Sequence, residues 1–298
     1  MEILYEKLIK VLNKKLHIDY EKNYEFKKYS TIRLGKTIPL LIYPNTFKKL
    51  QKLIKILYKM RINYKVVGNA SNILINDDKL VIISLRKIKP YIVMKKNYFI
   101  VSSNYSSVRL ALLAKEGIKT FLGLTKIPGT LGGAIYNNSS VGSYQVSDDL
   151  VSIMYFDKYG RLKKMNKEDI NFKYRYSNIS IFKGIIIEGI FKRVVDINSY
   201  NIYKKLDERR NLTQPKGYSL GSIYKNGNNY FAGKLIENVS LKGYNYNGIK
   251  ISDLHANIII NEGGSLKDFL ELLFIIELKV LLKYGIRLEK EIEIINNV

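Results

Sequence analysis

Three glycines and a proline fall within the eight residues Ile127-Pro128-Gly129-Thr130-Leu131-Gly132-Gly133-Ala134, and Asn138 follows closely. Glycine admits positive φ and carries no side chain to keep a ligand at a distance, while proline stiffens the entry to such a loop. A backbone of this kind can approach a phosphorylated cofactor. A plain set of tight turns is the competing reading, because glycine and proline punctuate every fold. The two common nucleotide fingerprints do not describe the segment: it has neither the G-x-G-x-x-G spacing nor a P-loop ending in Lys-Ser/Thr.

The surrounding pattern is mixed α and β. Leu40 to Tyr43 reads as a strand, Thr46 to Met60 as a helix, Tyr64 to Val67 as a strand, Gly68 to Asn72 as a turn and Leu80 to Leu85 as a strand. Phe47, Leu50, Leu53, Ile54 and Leu57 recur at helical spacing behind Thr46, a suitable N-cap. A second unit has strands near Tyr91 to Met94 and Tyr98 to Ser102 and a helix from Ser106 to Glu116 ended by Gly117. The glycine loop follows, then further strands up to Val195. Asn198 to Gln214 is polar, contains Arg209-Arg210 and stops at Pro215, which marks a domain boundary. Beyond it, strands are expected near Ser222 to Lys225 and Ile258 to Asn261. A helix is expected from Leu266 to Tyr284, with Ser265 as N-cap, Asp268 at its third position and Gly285 as its stop. The resulting division is an N-terminal helix (1–21), a region 22–197 in two parts (22–87 and 88–197) and a C-terminal domain (198–298).

Composition removes several classes of chemistry. With no cysteine there is neither a disulfide nor a thiol nucleophile, and two histidines, His17 and His255, make a zinc site unexpected. No metal is expected. Met1 to Tyr20 mixes apolar residues with Glu2, Glu6, Lys7, Lys10, Lys14 and Lys15, which suits an amphipathic helix rather than a secretion signal. The most apolar stretch, Leu266 to Leu282, is interrupted by Asp268, Glu271, Glu277 and Lys279, so no membrane span is expected and the cytoplasm is the expected location. The net charge of +24 admits nucleic-acid binding. The lysines are scattered in short pairs such as Lys14-Lys15, Lys48-Lys49 and Lys163-Lys164, however, and the richness in Lys, Ile, Asn and Tyr matches AT-rich codon usage. A solvated surface accounts for them, and no nucleic-acid partner is expected.

The glycine loop is one of a series of segments. In order these are Ser30-Thr31-Ile32-Arg33-Leu34-Gly35, Gly68-Asn69-Ala70-Ser71-Asn72-Ile73-Leu74, the loop itself, Tyr174-Arg175-Tyr176-Ser177, and Arg209-Arg210 through Gln214-Pro215. Gly221-Ser222-Ile223-Tyr224-Lys225-Asn226, Ala232-Gly233-Lys234-Leu235-Ile236-Glu237, His255-Ala256-Asn257 and Leu288-Glu289-Lys290-Glu291 complete it. Together they resemble the UDP-N-acetylenolpyruvoylglucosamine reductase family in its compact form, over almost the whole chain from Ser30.

The resemblance implies an α+β protein. Its FAD-binding fold would be of the vanillyl-alcohol oxidase (PCMH) type in two subdomains, followed by a C-terminal α+β substrate-binding domain. It implies an enzyme in which NADPH reduces FAD and UDP-N-acetylglucosamine enolpyruvate then takes the hydride, a step in making peptidoglycan precursors; a monomer is expected. FAD contacts fall on Gly68, Asn69, Ala70, Ser71 and Asn72 and on Ile127, Pro128, Gly129, Thr130, Gly132, Gly133, Ala134 and Asn138. Arg175 falls on the family's catalytic arginine, whose permanent charge suits a carboxylate gaining negative charge. Ser222 falls on the serine proton donor and Glu291 on the third catalytic position. Lys225 and Asn226 are implied substrate contacts. Residue type alone would make Arg175 a surface arginine, Ser222 a turn residue and Glu291 an outward-facing charge on a terminal strand. His255 reads as a buried, hydrogen-bonded residue outside the catalytic set.

The match departs from the family pattern near the cofactor. Ala70, Lys36 and Lys126 stand where glycine is usual, and Asn138-Ser139-Ser140-Val141-Gly142 loses the customary glycine and aromatic positions. Gly227 replaces a proline after Asn226, and a proline is missing from Tyr218-Ser219-Leu220. If Ala70 has positive φ, the cost is on the order of 1 kcal/mol. Another FAD oxidoreductase of the same fold, or a basic nucleic-acid binder with steeply salt-dependent affinity and no flavin, are the alternative functions.

Overall fold

The computed structural model describes residues 2–182 and 184–297; Met1, where the expected N-terminal helix begins, lies outside them. The seven α-helices among the described residues are α1 (Glu2–Val11), α2 (Phe47–Lys59), α3 (Ser107–Ala111), α4 (Leu131–Tyr136), α5 (Ser199–Thr213), α6 (Ala232–Asn238) and α7 (Leu266–Tyr284). The chain falls into two compact units, each made of non-contiguous segments. One comprises Met1–Tyr24, Ile38–Asn69 and Leu80–Glu208, the other Glu25–Thr37, Ala70–Lys79 and Arg209–Val298.

The first unit is built on two main sheets. Strands Thr37–Tyr43 and Tyr64–Val67 both run parallel to Val81–Ser84, which lies between them, and Asp19–Glu25 completes a four-stranded sheet beyond Thr37–Tyr43. Val81, Ile82 and Ile83 are all fully buried, as expected of a strand covered on both faces. Helix α2 makes the crossover. Its Leu50, Leu53, Ile54 and Leu57 are buried, and Thr46 Oγ1 accepts the Lys49 N–H at 3.1 Å, capping the helix where the sequence places the cap. The other sheet is antiparallel, ordered Leu162–Asn166, Leu150–Phe156, Ile185–Lys192, Tyr98–Ser102, Ile92–Met94. Its inner face packs Phe99, Val101, Ile153 and Phe191 against Leu110, Phe121, Leu131 and Ile135.

The second unit is organised around α7. Phe269, Leu272, Leu273, Ile276 and Val280 line its inner face and join Ile249, Ile251 and Ile259 of a three-stranded sheet in one core. Ser265 and Asp268 form the expected capping box, and Gly285, at φ 67, ends the helix. Ile73–Asn76 pairs in parallel with Glu293–Asn296 near the end of the chain. Among the described residues, no helix is long and apolar enough to cross a membrane, and no group of three or more His, Asp or Glu is placed to hold a metal.

Three details differ from the sequence reading. The polar stretch Asn198 to Gln214, read as a polar segment that marks a boundary, is mostly the helix α5; of its side chains only Ser199 is buried, with Tyr203 half-buried against the core, so its apolar stripe is faint. The helix expected from Ser106 to Glu116 tightens after Ala111 into a 3₁₀ turn, Leu112–Glu116, before Gly117 ends it at φ 77. The glycine segment is not all loop, since Leu131 to Tyr136 is α4 and Gly132 and Gly133 lie in its first turn.

Candidate functional site

In the first unit the glycine segment is strung along residues 103–107. Gly132 N–H donates to Ser103 O at 2.7 Å, Leu131 N–H to Tyr105 O at 2.9 Å and Ser107 N–H to Gly129 O at 3.2 Å. Leu131, Ala134 and Ile135 are buried beneath this ladder and anchor it to the core, so the glycine backbone is fixed in place. A side chain at Gly68 would run into Thr130 Oγ1, which puts Gly68 directly against the glycine segment. At Gly132 a Cβ would lie 2.9 Å from Ser103 Cβ and 3.2 Å from its carbonyl oxygen. Gly132→Ala is therefore expected to cost about 1–3 kcal/mol of stability through overpacking. Denaturant unfolding checks this, and an unchanged midpoint would contradict the packing account.

Several polar atoms near this ladder lack partners. Among the described residues, the buried Ser103 Oγ, Ser107 Oγ, Asn104 Oδ1 and Asn138 Oδ1 have no hydrogen-bond partner. An unsatisfied buried polar atom costs free energy, so four around one glycine cradle indicate a polar ligand. The altered glycine positions carry their own cost. Ala70 has φ 52 and Lys126 has φ 56, so both non-glycine residues sit in the left-handed region, at about 1 kcal/mol each. Lys126 also pairs with Asp207 of α5 at 3.5 Å.

Asn138 links the cradle to Arg175. Its amide nitrogen donates to Gln145 Oε1 at 2.9 Å and to Lys173 O at 3.0 Å, and its φ of 45 is one that asparagine tolerates. Lys173 pairs with Tyr176 in a short hairpin, which leaves Tyr174 and Arg175 as the turn. Arg175 itself has φ 54, a left-handed conformation that glycine would take more easily, and such strain is characteristic of functional positions. Its Nη1 donates to Ser140 Oγ at 2.9 Å, and its guanidinium lies 5.4 Å from the centre of the Tyr174 ring. Ser140 is one of the residues that depart from the family pattern, and sequence reasoning gave it no role.

Ser222 and Glu291 lie in the second unit on adjacent segments. Gly221, at φ 74, turns the chain into the stretch Ser222 to Lys225. Glu291 N–H donates to Ile223 O at 2.7 Å and Lys225 N–H to Glu289 O at 2.8 Å, so the two stretches pair antiparallel. On the other side, Ser222 bridges Ile258 and Ile223 N–H donates to Asn257 O at 2.9 Å. The expected strand Ser222 to Lys225 is therefore a set of isolated bridges, because its hydrogen bonds alternate between two neighbours. Asn257 replaces the missing ladder: its Oδ1 accepts Tyr224 N–H at 2.9 Å and its Nδ2 donates to Tyr224 O at 2.7 Å. Its place in His255-Ala256-Asn257 was the available signal for this role.

The remaining candidates have partners of their own. Asn72 Nδ2 donates to Glu291 O at 3.2 Å and Glu293 N–H to Asn72 O at 3.0 Å, so Asn72 supports the glutamate's main chain. Lys225 Nζ lies 2.6 Å from Glu289 Oε1, and Asn226 Oδ1 accepts Ala232 N–H at 3.0 Å at the start of α6. Burial, reinforced by the charges of Lys242 and Arg210, holds the His255 imidazole below its ordinary pKa. Its Nδ1 accepts Asn257 N–H at 3.2 Å, in keeping with a hydrogen-bonded structural histidine.

Comparison with known proteins decides the family. Residues 214–295 match the profile of the UDP-N-acetylenolpyruvoylglucosamine reductase C-terminal domain, and residues 38–166 that of an FAD binding domain. The chain is 32% identical over 300 residues to the UDP-N-acetylenolpyruvoylglucosamine reductase of Clostridioides difficile strain 630, covering 98% of this chain and 97% of that protein. The chain belongs to the UDP-N-acetylenolpyruvoylglucosamine reductase family. It is also 32% identical over 282 residues to the reductase of Bacillus pumilus strain SAFR-032, covering 92% of this chain and 93% of that one. The crystal structure of the reductase from Thermus caldophilus superposes with a TM-score of 0.76 at 26% identity, over 93% of this chain and 98% of that chain. The expected α+β fold, with an FAD-binding domain and a distinct C-terminal domain, is the fold of this reductase family. The glycine cradle and its unsatisfied polar atoms lie within or beside the FAD-domain match, and their chemistry suits a dinucleotide with phosphates and ribose hydroxyls.

Proposed function

We propose that this chain reduces UDP-N-acetylglucosamine enolpyruvate to UDP-N-acetylmuramate at the expense of NADPH, in the synthesis of peptidoglycan precursors. The observation that carries this reading is the pairing of the Ser222 and Glu291 segments inside the region matched by the reductase C-terminal domain. Bound FAD supplies hydride transfer, from the nicotinamide to the methylene carbon of the enolpyruvyl group.

The residues of this chain then manage charge and a proton. Addition of hydride to the methylene leaves an electron pair on the carbon beside the carboxylate, delocalised into that carboxylate. The guanidinium of Arg175 stays protonated throughout and stabilises this charge without changing state. The hydroxyl of Ser222 donates its proton to that carbon, closing the new C–H bond. A serine hydroxyl is a weak acid, but the acceptor is a strongly basic carbanion and the donor is already positioned. Glu291 assists this protonation. Gly68, Asn69, Ala70, Ser71, Asn72 and the segment from Ile127 to Asn138 hold FAD, while Lys225 and Asn226 contact the sugar nucleotide. On this reading Lys225 exchanges Glu289 for a substrate phosphate.

The purified protein should take up FAD and oxidise NADPH faster when the enolpyruvyl sugar nucleotide is added. A protein that binds no flavin, or whose NADPH oxidation ignores that substrate, would overturn the proposal.

A further inference from the structure

The two segments that carry Ser222 and Glu291 share a second connection, through α7. Tyr224, two residues after Ser222, is 1% exposed and its hydroxyl donates to Glu277 Oε1 at 3.1 Å, with Leu273 O at 3.3 Å sharing the proton. Lys290, immediately before Glu291, places Nζ 2.5 Å from the same Glu277 oxygen. Tyr224 and Lys290 are also backbone partners in an antiparallel bridge. One carboxylate on a helix packed into the core thus holds a side chain from each segment. Leu273 and Ile276 flank it on the buried face, which keeps the helix from shifting independently of the segments.

We propose that Glu277 is a positioning residue for the protonation step, setting the separation of the Ser222 and Glu291 segments by clamping Tyr224 to Lys290. The proposal rests on the assignment of Ser222 and Glu291 made above. Burial, and then the neighbouring carboxylate, push the Tyr224 phenol well above its ordinary pKa, so it remains a donor at any pH at which an enzyme works. The clamp therefore does not depend on pH through Tyr224. Its two arms differ in kind: one is a buried hydrogen bond, the other an ion pair with about a third of each side chain exposed. Glu277→Gln keeps an acceptor for Tyr224 and removes the charge that holds Lys290. Lys290→Met removes the same arm from the other side.

Both substitutions are tested on the FAD-loaded full chain by stopped flow. NADPH-dependent bleaching of the flavin should be unchanged in both variants. Recovery of flavin absorbance on adding UDP-N-acetylglucosamine enolpyruvate should slow by about 10- to 100-fold, the effect of a small misplacement of reacting groups. The solvent deuterium isotope effect on that recovery should rise, because proton delivery becomes slower relative to hydride transfer. A merely structural role would lower the melting temperature and leave the isotope effect at its wild-type value. Recovery in both variants at the wild-type rate, or slowed without a change in isotope effect, would overturn the proposal. If the wild-type protein is not reoxidised by this substrate, the functional assignment falls first, and this inference with it.

Discussion

Ser222→Ala is expected to leave reduction by NADPH intact and to slow reoxidation by the enolpyruvyl substrate by about 10²- to 10⁴-fold, the usual contribution of a positioned general acid. The fold should tolerate the change, because the segment is held by main-chain bonds of Ile223 and Lys225 and by the Asn257 amide, not by the serine hydroxyl. The two half-reactions then separate chemistry from cofactor binding: both need bound flavin, but only the second consumes a proton at carbon. Stopped-flow absorbance of the flavin reads each in turn. Equal reoxidation rates in wild type and variant would remove Ser222 from its role.

Arg175→Gln is expected to slow the same half-reaction by about 10²- to 10³-fold, as for loss of one preorganised group facing developing charge. Glutamine meets the same left-handed backbone as arginine, so the strain at φ 54 is not relieved and the stability of the turn should change little. Arg175→Lys separates charge from geometry. It retains a cation but loses the planar fork that holds Ser140 Oγ, so an intermediate rate is expected. Rates indistinguishable from wild type in both variants would make Arg175 a hairpin residue and nothing more. A drop confined to reduction by NADPH would assign it to the nicotinamide instead.

Much of the fold was legible because its signals are local. Helices α2 and α7 carry apolar periodicity, a side-chain cap at the start and, for α7, a glycine at the end, and the structure places both helices and both caps as read. Helix α5 has only a faint apolar face to reveal it, so the stretch was read only as a polar boundary segment. The strand Ile73–Asn76 was hidden for another reason: its partner Glu293–Asn296 is supplied from the opposite end of the chain, and no local pattern encodes that pairing. The same non-local contacts group Glu25–Thr37 and Ala70–Lys79 with the C-terminal segments, an interleaving that a division by chain position does not represent.

The candidate site divides in the same way. Arg175, Ser222 and Glu291 stand as candidates because short motifs surround them. Asn257, whose amide holds both main-chain polar groups of Tyr224, lay in His255-Ala256-Asn257 without a role that spacing could reveal. Ser140 was seen only as a departure from the family pattern, and its contact with Arg175 depends on a hairpin some thirty-five residues further on. The conformations at Ala70 and Lys126 needed coordinates as well; both proved left-handed, so the unusual side chains at these positions carry the strain that glycine would have avoided.

The most direct test of the account is a single turnover under anaerobic conditions. The FAD-loaded protein is reduced with one equivalent of NADPH, mixed with UDP-N-acetylglucosamine enolpyruvate, and followed by flavin absorbance and by mass analysis of the sugar nucleotide. The account predicts recovery of oxidised flavin together with one equivalent of UDP-N-acetylmuramate. Flavin that stays reduced until oxygen is admitted, with the enolpyruvyl sugar nucleotide recovered unchanged, would contradict it.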